Sequence, residues 1–341
     1  MPDKHLWGDE TSKAVENFPI SGETVPIAVV HWVARIKGAA AVVNGELGLL
    51  DKRRAARIEK AAKEVAAGKH DAHFPIDVFQ TGSGTSTNTN ANEVLATLAT
   101  NQDPARPVHP NDHVNIGQSS NDVFPSAVHL AALQVAQREL LPALKQLERA
   151  FAKKAKSFQN VVKAGRTHLM DAVPVMLGAE FGGYAAQMAL AQERVQAALV
   201  HVGQIPLGGT ATGTGLNTHP RFAEKVRAQL KKESALRQIA APLDPFEAQA
   251  SRDALVELSG ALKVIAVSLT KIAGDLALMG SGPRAGIGEL YLPELQKGSS
   301  IMPGKVNPVI PEVVLQVCAQ VVGNDTAITV GGMQGQFELN V

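Results

Sequence analysis

Cysteine is nearly absent from this 341-residue chain: Cys318 is the single one. One thiol excludes an internal disulfide framework and a multi-cysteine metal site. It lies in the apolar run VVLQVCAQVV, the setting of a small buried residue rather than of a nucleophile. Aromatic residues are also scarce, at 4%. Neither sign of charge dominates, since 33 Lys and Arg face 32 Asp and Glu. The basic excess or stripe that marks nucleic-acid and membrane-surface binders is therefore missing, and neither partner is expected. No run of about 18 apolar residues free of charge occurs, so no membrane span is expected. The N-terminus MPDKHLWGDETSKAV has no apolar h-region and is not rich in Arg and Ser, so the chain reads as cytoplasmic.

What is present is a large apolar fraction, 45%, and abundant alanine, which favours closely packed helices. The length suits two domains. Residues 25–68 read as two helices broken near LGLLDK. Two breaks rich in Gly, Ser, Thr, Pro and Asn follow, FPIDVFQTGSGTSTNTN (74–90) and NQDPARPVHPNDHVNIGQSSND (101–122), with a short helix between them. Beyond them the helical patterns lengthen. The boundary is placed there: 1–117 as an N-terminal, mainly helical domain and 118–341 as a central helical bundle. Within 251–280, Leu255, Leu258, Leu262, Ile265, Leu269, Ile272 and Leu276 form an a/d seam. Apolar residues also lie off that seam, so the helix is expected to be buried on more than one side and to meet other subunits. Long helices are expected over 123–158, kinked at Pro142, and over 175–202. The fold class is all-α, or nearly so.

The chemistry gathers at the breaks between helices. TGSGTST (81–87) lacks the GK[ST] of a P-loop and on its own reads as a flexible turn. QSSND (118–122) reads as a helix N-cap or, alternatively, as an anion site of free N–H groups and hydroxyls at a helix N-terminus. GRTHLMDAVP (165–174) places His168 where a helix is about to start. No second histidine or carboxylate stands at metal-ligand spacing, so no metal is expected. GSSIMPGKVNP (298–308) sets two serines between glycines, beside a lysine and an asparagine. With Arg106, Lys305 and His168, these neutral donors suit a small polyanion such as a dicarboxylate.

TGSGTSTN, HPND, QSSND, GRTHLMDAVP, GGTATGTGLN (208–217) and GSSIMPGKVNP, in that order, closely resemble the signatures of the fumarase/aspartase superfamily. Within it the chain resembles the class II, iron-independent fumarases, since aspartases have Gln in place of His168 and Ala in place of Gly304. The resemblance runs from LWG at residue 6 to FELNV at the end. It implies a small N-terminal helical domain and a long-helix bundle. It further implies a homotetramer with active sites assembled from three subunits, and no cofactor.

By resemblance, the reaction is reversible hydration of fumarate to L-malate, in which an aci-carboxylate takes up the second negative charge. Ser299 corresponds to the base, its alkoxide stabilised by backbone N–H groups that Gly298 and Gly304 allow to curl around it. His168 corresponds to the acid/base residue acting on the hydroxyl, and Glu312 to the carboxylate that pairs with it. Lys305 and Asn307 correspond to ligands of the substrate carboxylate. Ser83, Gly84, Thr85, Ser119, Ser120, Asn121, Thr167, Ser300 and Val306 match further substrate contacts. Arg106, His109, Pro110, Asn111 and Asp112 match a second, peripheral dicarboxylate site. The chain departs from the family at Ile116-Gly117, in NEVLATLA and at Lys13, none of which bears assigned chemistry. Two other readings are an aspartate ammonia-lyase and a catalytically inert member. The chain stops where the family continues into another bundle helix and a C-terminal domain, so the natural polypeptide is expected to be longer.

Overall fold

The structure is a computed structural model describing residues 5–296, 298 and 300–341. It is 61% helical, with eleven α-helices among the described residues and two small antiparallel hairpins. The helices are α1 Asp9–Asn17, α2 Ile27–Glu46, α3 Lys52–Ala66, α4 Thr85–Gln102, α5 Ser120–Val135, α6 Leu141–Ser157, α7 Leu177–Val202, α8 Phe222–Ser234, α9 Pro245–Ala250, α10 Asp253–Met279 and α11 Val309–Gly332. The strands are β1 Val162–Thr167, β2 Met170–Met176, β3 Gly335–Gln336 and β4 Leu339–Asn340. The mainly helical architecture expected from the sequence is what the chain adopts.

The chain divides into two compact units. The first comprises the chain up to Val135, Leu199–Ala254 and Gly331–Val341. Its centre is α2, whose apolar residues cover every side, so that Val30, Trp32, Val33, Ile36 and Val43 are all buried. A helix apolar all round must be surrounded, and α3, α4, α5 and α8 pack on it. Helix α3 has one apolar face, with Ile58, Ala61, Ala62 and Val65 buried, and its N-cap Asp51 accepts the Arg54 amide at 3.0 Å. The two helices approach closely because Gly38 faces Ala62; a Cβ on Gly38 would lie 2.8 Å from the alanine Cβ.

The second unit comprises Ala136–Ala198 and Leu255–Val330. The α10 seam is realised: Leu258, Ile265 and Ile272 are buried, and Leu255, Leu262, Leu269 and Leu276 are half-buried. Phe151, Phe158, Phe181 and Tyr184 form one aromatic cluster with centroids 5.3–6.3 Å apart, the edge-to-face and tilted contacts that aromatic rings favour. Between α5 and α6 the backbone widens into a π-helical turn, Ala136–Leu140, immediately ahead of Pro142. Proline removes an amide donor and crowds the preceding turn, and the wider turn accommodates both.

GRTHLMDAVP forms no helix start. It makes the β1–β2 hairpin, whose two-residue turn, His168–Leu169, has positive φ at both residues (56° and 62°). This is the turn geometry whose twist matches paired strands. Val162, Val173 and Val175 favour strand, and Pro174 disfavours a helix interior. By length and hydropathy α2 and α11 could each cross a bilayer. Neither is free of charge: Arg35 and Lys37 interrupt the first, and Glu312 and Asp325 the second. The α2 window is 72% buried in its unit and the α11 window 11%.

Candidate active site

In the first unit the two sequence breaks converge. Gly84 adopts φ 70° as the residue before α4, with no room for a side chain: a Cβ would lie 2.2 Å from the Phe124 ring. This brings Thr85 against the start of α5. The Ser83 and Thr85 hydroxyls are 2.7 Å apart, and those of Thr85 and Ser120 are 2.8 Å apart. Three hydroxyls from two chain segments thus form one row; its two internal hydrogen bonds take two of the three protons and leave one free to turn toward an anion.

QSSND caps the start of α5. Ser119 is the cap: its hydroxyl accepts the Asn121 amide at 3.2 Å, and Asp122 reaches back to the Ser119 amide at 2.9 Å. That is the reciprocal pattern of a capping box. Ser120 is left for the hydroxyl row, and Asn121 donates its side-chain amide to the Ala211 carbonyl at 2.9 Å. Beside them lies a cavity of about 370 Å³ lined by Gly117, Gln118, Ser119, Thr210, Ala211, Thr212, Thr214, Leu216 and Asn217. GGTATGTGLN, to which no role was assigned, therefore supplies most of a wall.

Buried groups behind this wall were not anticipated from the sequence. Asp122 is fully buried and also accepts the amides of Gly208 and Thr210, at 2.8 and 3.1 Å. Burial pushes its carboxyl up to about 6, against the pull of those three amides and of Lys37. Lys37, fully buried in α2, is drawn down to about 7 by desolvation, with Asp122 opposing. Gln249 donates to the Thr210 carbonyl at 2.8 Å. The available signals were Asp122 three residues after Ser119 and a lysine inside an otherwise apolar helix.

In the second unit the hairpin sets Thr167 and His168 at an exposed tip. Its base is fixed by charge. Lys163 donates to Glu180 at 2.8 Å and lies 2.8 Å from Glu289, while Arg166 donates to Glu289 at 2.5 Å. Burial alone would raise the Glu289 carboxyl, but the bonds from Arg166 and Lys163 outweigh it and hold the group below its ordinary value.

The signature segment closes on itself. Asn307 donates its side-chain amide to the Gly298 carbonyl at 3.1 Å, and Lys305 N–H donates to the Met302 carbonyl at 3.2 Å. A Cβ at Gly298 would lie 2.5 Å from the Lys305 carbonyl oxygen, so glycine is what permits that crossing. Gly304 takes φ 80°. Ser300, Lys305 and Val306 are exposed, Asn307 is half-buried, and Glu312 is exposed in the first turn of α11. Ser299 lies outside the described residues. Among the described residues neither His168 nor Glu312 is in an ion pair.

At the other sequence-expected site, Arg106, His109, Asn111 and Asp112 are exposed and Pro110 is half-buried. His109 accepts the Asp112 amide at 3.1 Å, capping the π-helical turn Pro110–Val114, and its own amide donates to His113 at 2.7 Å.

A family model described as lyase matches residues 1–323. The chain is 58% identical over 341 residues to fumarate hydratase class II of Corynebacterium glutamicum, covering all of this chain and 72% of that one. It is 56% identical over the same length and shares to the enzyme of that name from Mycobacterium tuberculosis. The solved structure of class II fumarase from Schistosoma mansoni superposes with a TM-score of 0.96 at 38% identity, over 100% of this chain and 75% of that one. The motifs, the fold and these full-chain identities agree: the chain belongs to the lyase family and, within it, to the class II fumarate hydratases.

Proposed function

We propose that the protein interconverts fumarate and L-malate by anti addition of water through an aci-carboxylate intermediate, a step of the tricarboxylic acid cycle. The observation that supports this best is the hydroxyl row Ser83–Thr85–Ser120, closed by hydrogen bonds of 2.7 and 2.8 Å at the start of two helices. It supplies neutral donors and helix N-termini, a combination suited to one carboxylate. His168, Ser299, Lys305, Asn307 and Glu312 supply the chemistry. In the dehydration direction Ser299 takes the C3 proton, and the substrate carboxylate accepts the electron pair as an aci-dianion held by Lys305 and Asn307. Each such preorganised donor is worth about 3–4 kcal/mol in the transition state. His168, protonated and oriented by Glu312, delivers a proton through a water to the departing hydroxyl.

The sites draw residues from three subunits of a soluble, cytoplasmic homotetramer. The exposed apolar residues Ile310, Val313 and Val317 of α11 support assembly, since faces of this kind are usually covered. Arg106 with His109–Asp112 forms a peripheral dicarboxylate site.

The test is the ultraviolet absorbance of fumarate. Loss of the signal without ammonia, unaffected by EDTA, is expected. Consumption only when ammonia is present would overturn the hydratase reading in favour of an ammonia-lyase. Ser299→Ala is expected to lower kcat by several orders of magnitude with the fold intact.

A further inference from the structure

We propose that two buried residues, Asp122 and Lys37, are the positioning device of the carboxylate-binding wall, holding the 119–121 and 208–210 backbones at the spacing that the substrate requires. The inference rests on the reading of Ser119, Ser120 and Asn121 as dicarboxylate contacts.

Asp122 is one carboxylate serving two chain segments. One oxygen accepts the Ser119 amide at 2.9 Å, and the other accepts Gly208 and Thr210 at 2.8 and 3.1 Å. Ser119 lies 3 residues from Asp122 along the chain, whereas Gly208 and Thr210 lie 86 and 88 residues away, yet the same group sets both segments. Ser119 and Thr210 then line the cavity. Lys37 acts one layer behind. Its ammonium donates to the Asn115 side-chain oxygen at 3.1 Å, and the Gln118 side-chain oxygen lies at 3.5 Å. Asn115 in turn donates to the Gln118 carbonyl at 3.2 Å, and Gln118 to the Val114 carbonyl at 3.0 Å. The turn that leads into Ser119 is thereby tied to the centre of α2.

A buried charge held only for stability would be satisfied by one partner and a few nearby donors, and hydrophobic replacement is often tolerated where charges are buried. Here every hydrogen bond of the carboxylate goes to the backbone of the wall. Asp122 touches no substrate; it fixes what does. Removing it leaves Ser119, Gly208 and Thr210 amides without their acceptor, and the wall is expected to drift by fractions of an ångström. That is enough to weaken carboxylate binding while the proton-transfer groups remain untouched.

The test uses the full chain, assayed on fumarate over a range of concentrations, beside thermal unfolding. Asp122→Asn keeps the shape but presents an amide to at least one backbone N–H. Its KM is expected to rise about tenfold or more with kcat within about threefold, the signature of lost ground-state positioning. Lys37→Met, which removes the ammonium and keeps the volume, is expected to raise KM several-fold, and it decides the matter if the Asn variant does not fold. The double variant removes both charges and is expected to regain stability while KM stays high, because at least one backbone N–H of the wall still lacks its acceptor. Lower unfolding temperatures with KM unchanged in both single variants would overturn the inference and leave both residues a purely structural role. A wild-type protein inactive on fumarate would instead overturn the hydratase reading, a result separable from this one.

Discussion

Thr85 and Ser120 stand 35 residues apart in the chain, and their hydroxyls meet at 2.8 Å. Neither is buried, so the contact contributes little to stability, and its use lies in what the hydroxyls face. Ser120→Ala is expected to raise KM for fumarate about tenfold, the lower range for a hydrogen bond to a charged group. Its unfolding temperature should stay within about 2 °C of the parent, as for an exposed substitution. A KM equal to the parent's would remove Ser120 from the carboxylate contacts.

Gly84 makes that meeting possible. Its φ of 70° disfavours any other residue, and the space for a Cβ is occupied by the Phe124 ring at 2.2 Å. Gly84→Ala is expected to cost about 2–4 kcal/mol, combining left-handed strain with overpacking. Denaturant midpoints measure it. Adding Phe124→Leu should return the steric part and leave the conformational part. A loss below about 1 kcal/mol would mean that the ring moves aside freely.

These two sites show what could be read from the chain and what could not. Leu258, Ile265 and Ile272 were legible because a heptad seam depends only on spacing. The breaks were legible because Gly, Ser and Asn at helix ends have local causes. The meeting of Thr85 with Ser120 was not, because it depends on how α4 and α5 pack on α2. Nor was the hairpin at His168: residues 162–176 contain no Asn-Gly or Asp-Gly at the turn, and His168–Leu169 adopts positive φ only because the two strands pair. Asp122 was read as part of a cap, which it is, but its second oxygen serves Gly208 and Thr210, a tertiary fact with no local signal.

Glu289 ties the hairpin base to the segment that leads toward the signature loop. It accepts from Arg166, two residues before His168, and lies 2.8 Å from Lys163. Glu289→Gln keeps the shape and leaves two cations facing a neutral amide. Stability is expected to fall by about 2 kcal/mol, below the range for fully buried pairs because the group is partly exposed. If the network also holds His168 in place, kcat falls while KM for fumarate is nearly unchanged. A normal kcat with lowered stability would confine the network to a structural role.

His129 gives the chain an acid-sensitive point away from the proposed chemistry. It is buried, and its Nδ1 lies 2.9 Å from the Val202 carbonyl, which can only accept, so that nitrogen carries the proton. Its Nε2 is buried without a partner among the described residues. A second proton there would be desolvated and would face the positive charge of Arg252. Desolvation accordingly lowers the group from 6.5 to about 4, with Arg252 adding to it against the Val202 bond. As the folded value is the depressed one, the unfolded chain takes the proton first on acidification. The contribution of His129 is full above about pH 6.5 and is lost as pH falls toward 4, about 3 kcal/mol over the whole window. Asp122 works in the opposite sense there, since its raised carboxyl binds a proton more tightly in the folded state up to about pH 6. The measurement must therefore be a difference: unfolding free energies of the parent and of His129→Gln at several pH values between 4 and 7. The parent is expected to lose its advantage progressively on acidification, with the steepest change between pH 6 and 5. A difference that stays constant across this range would show that His129 does not titrate on unfolding.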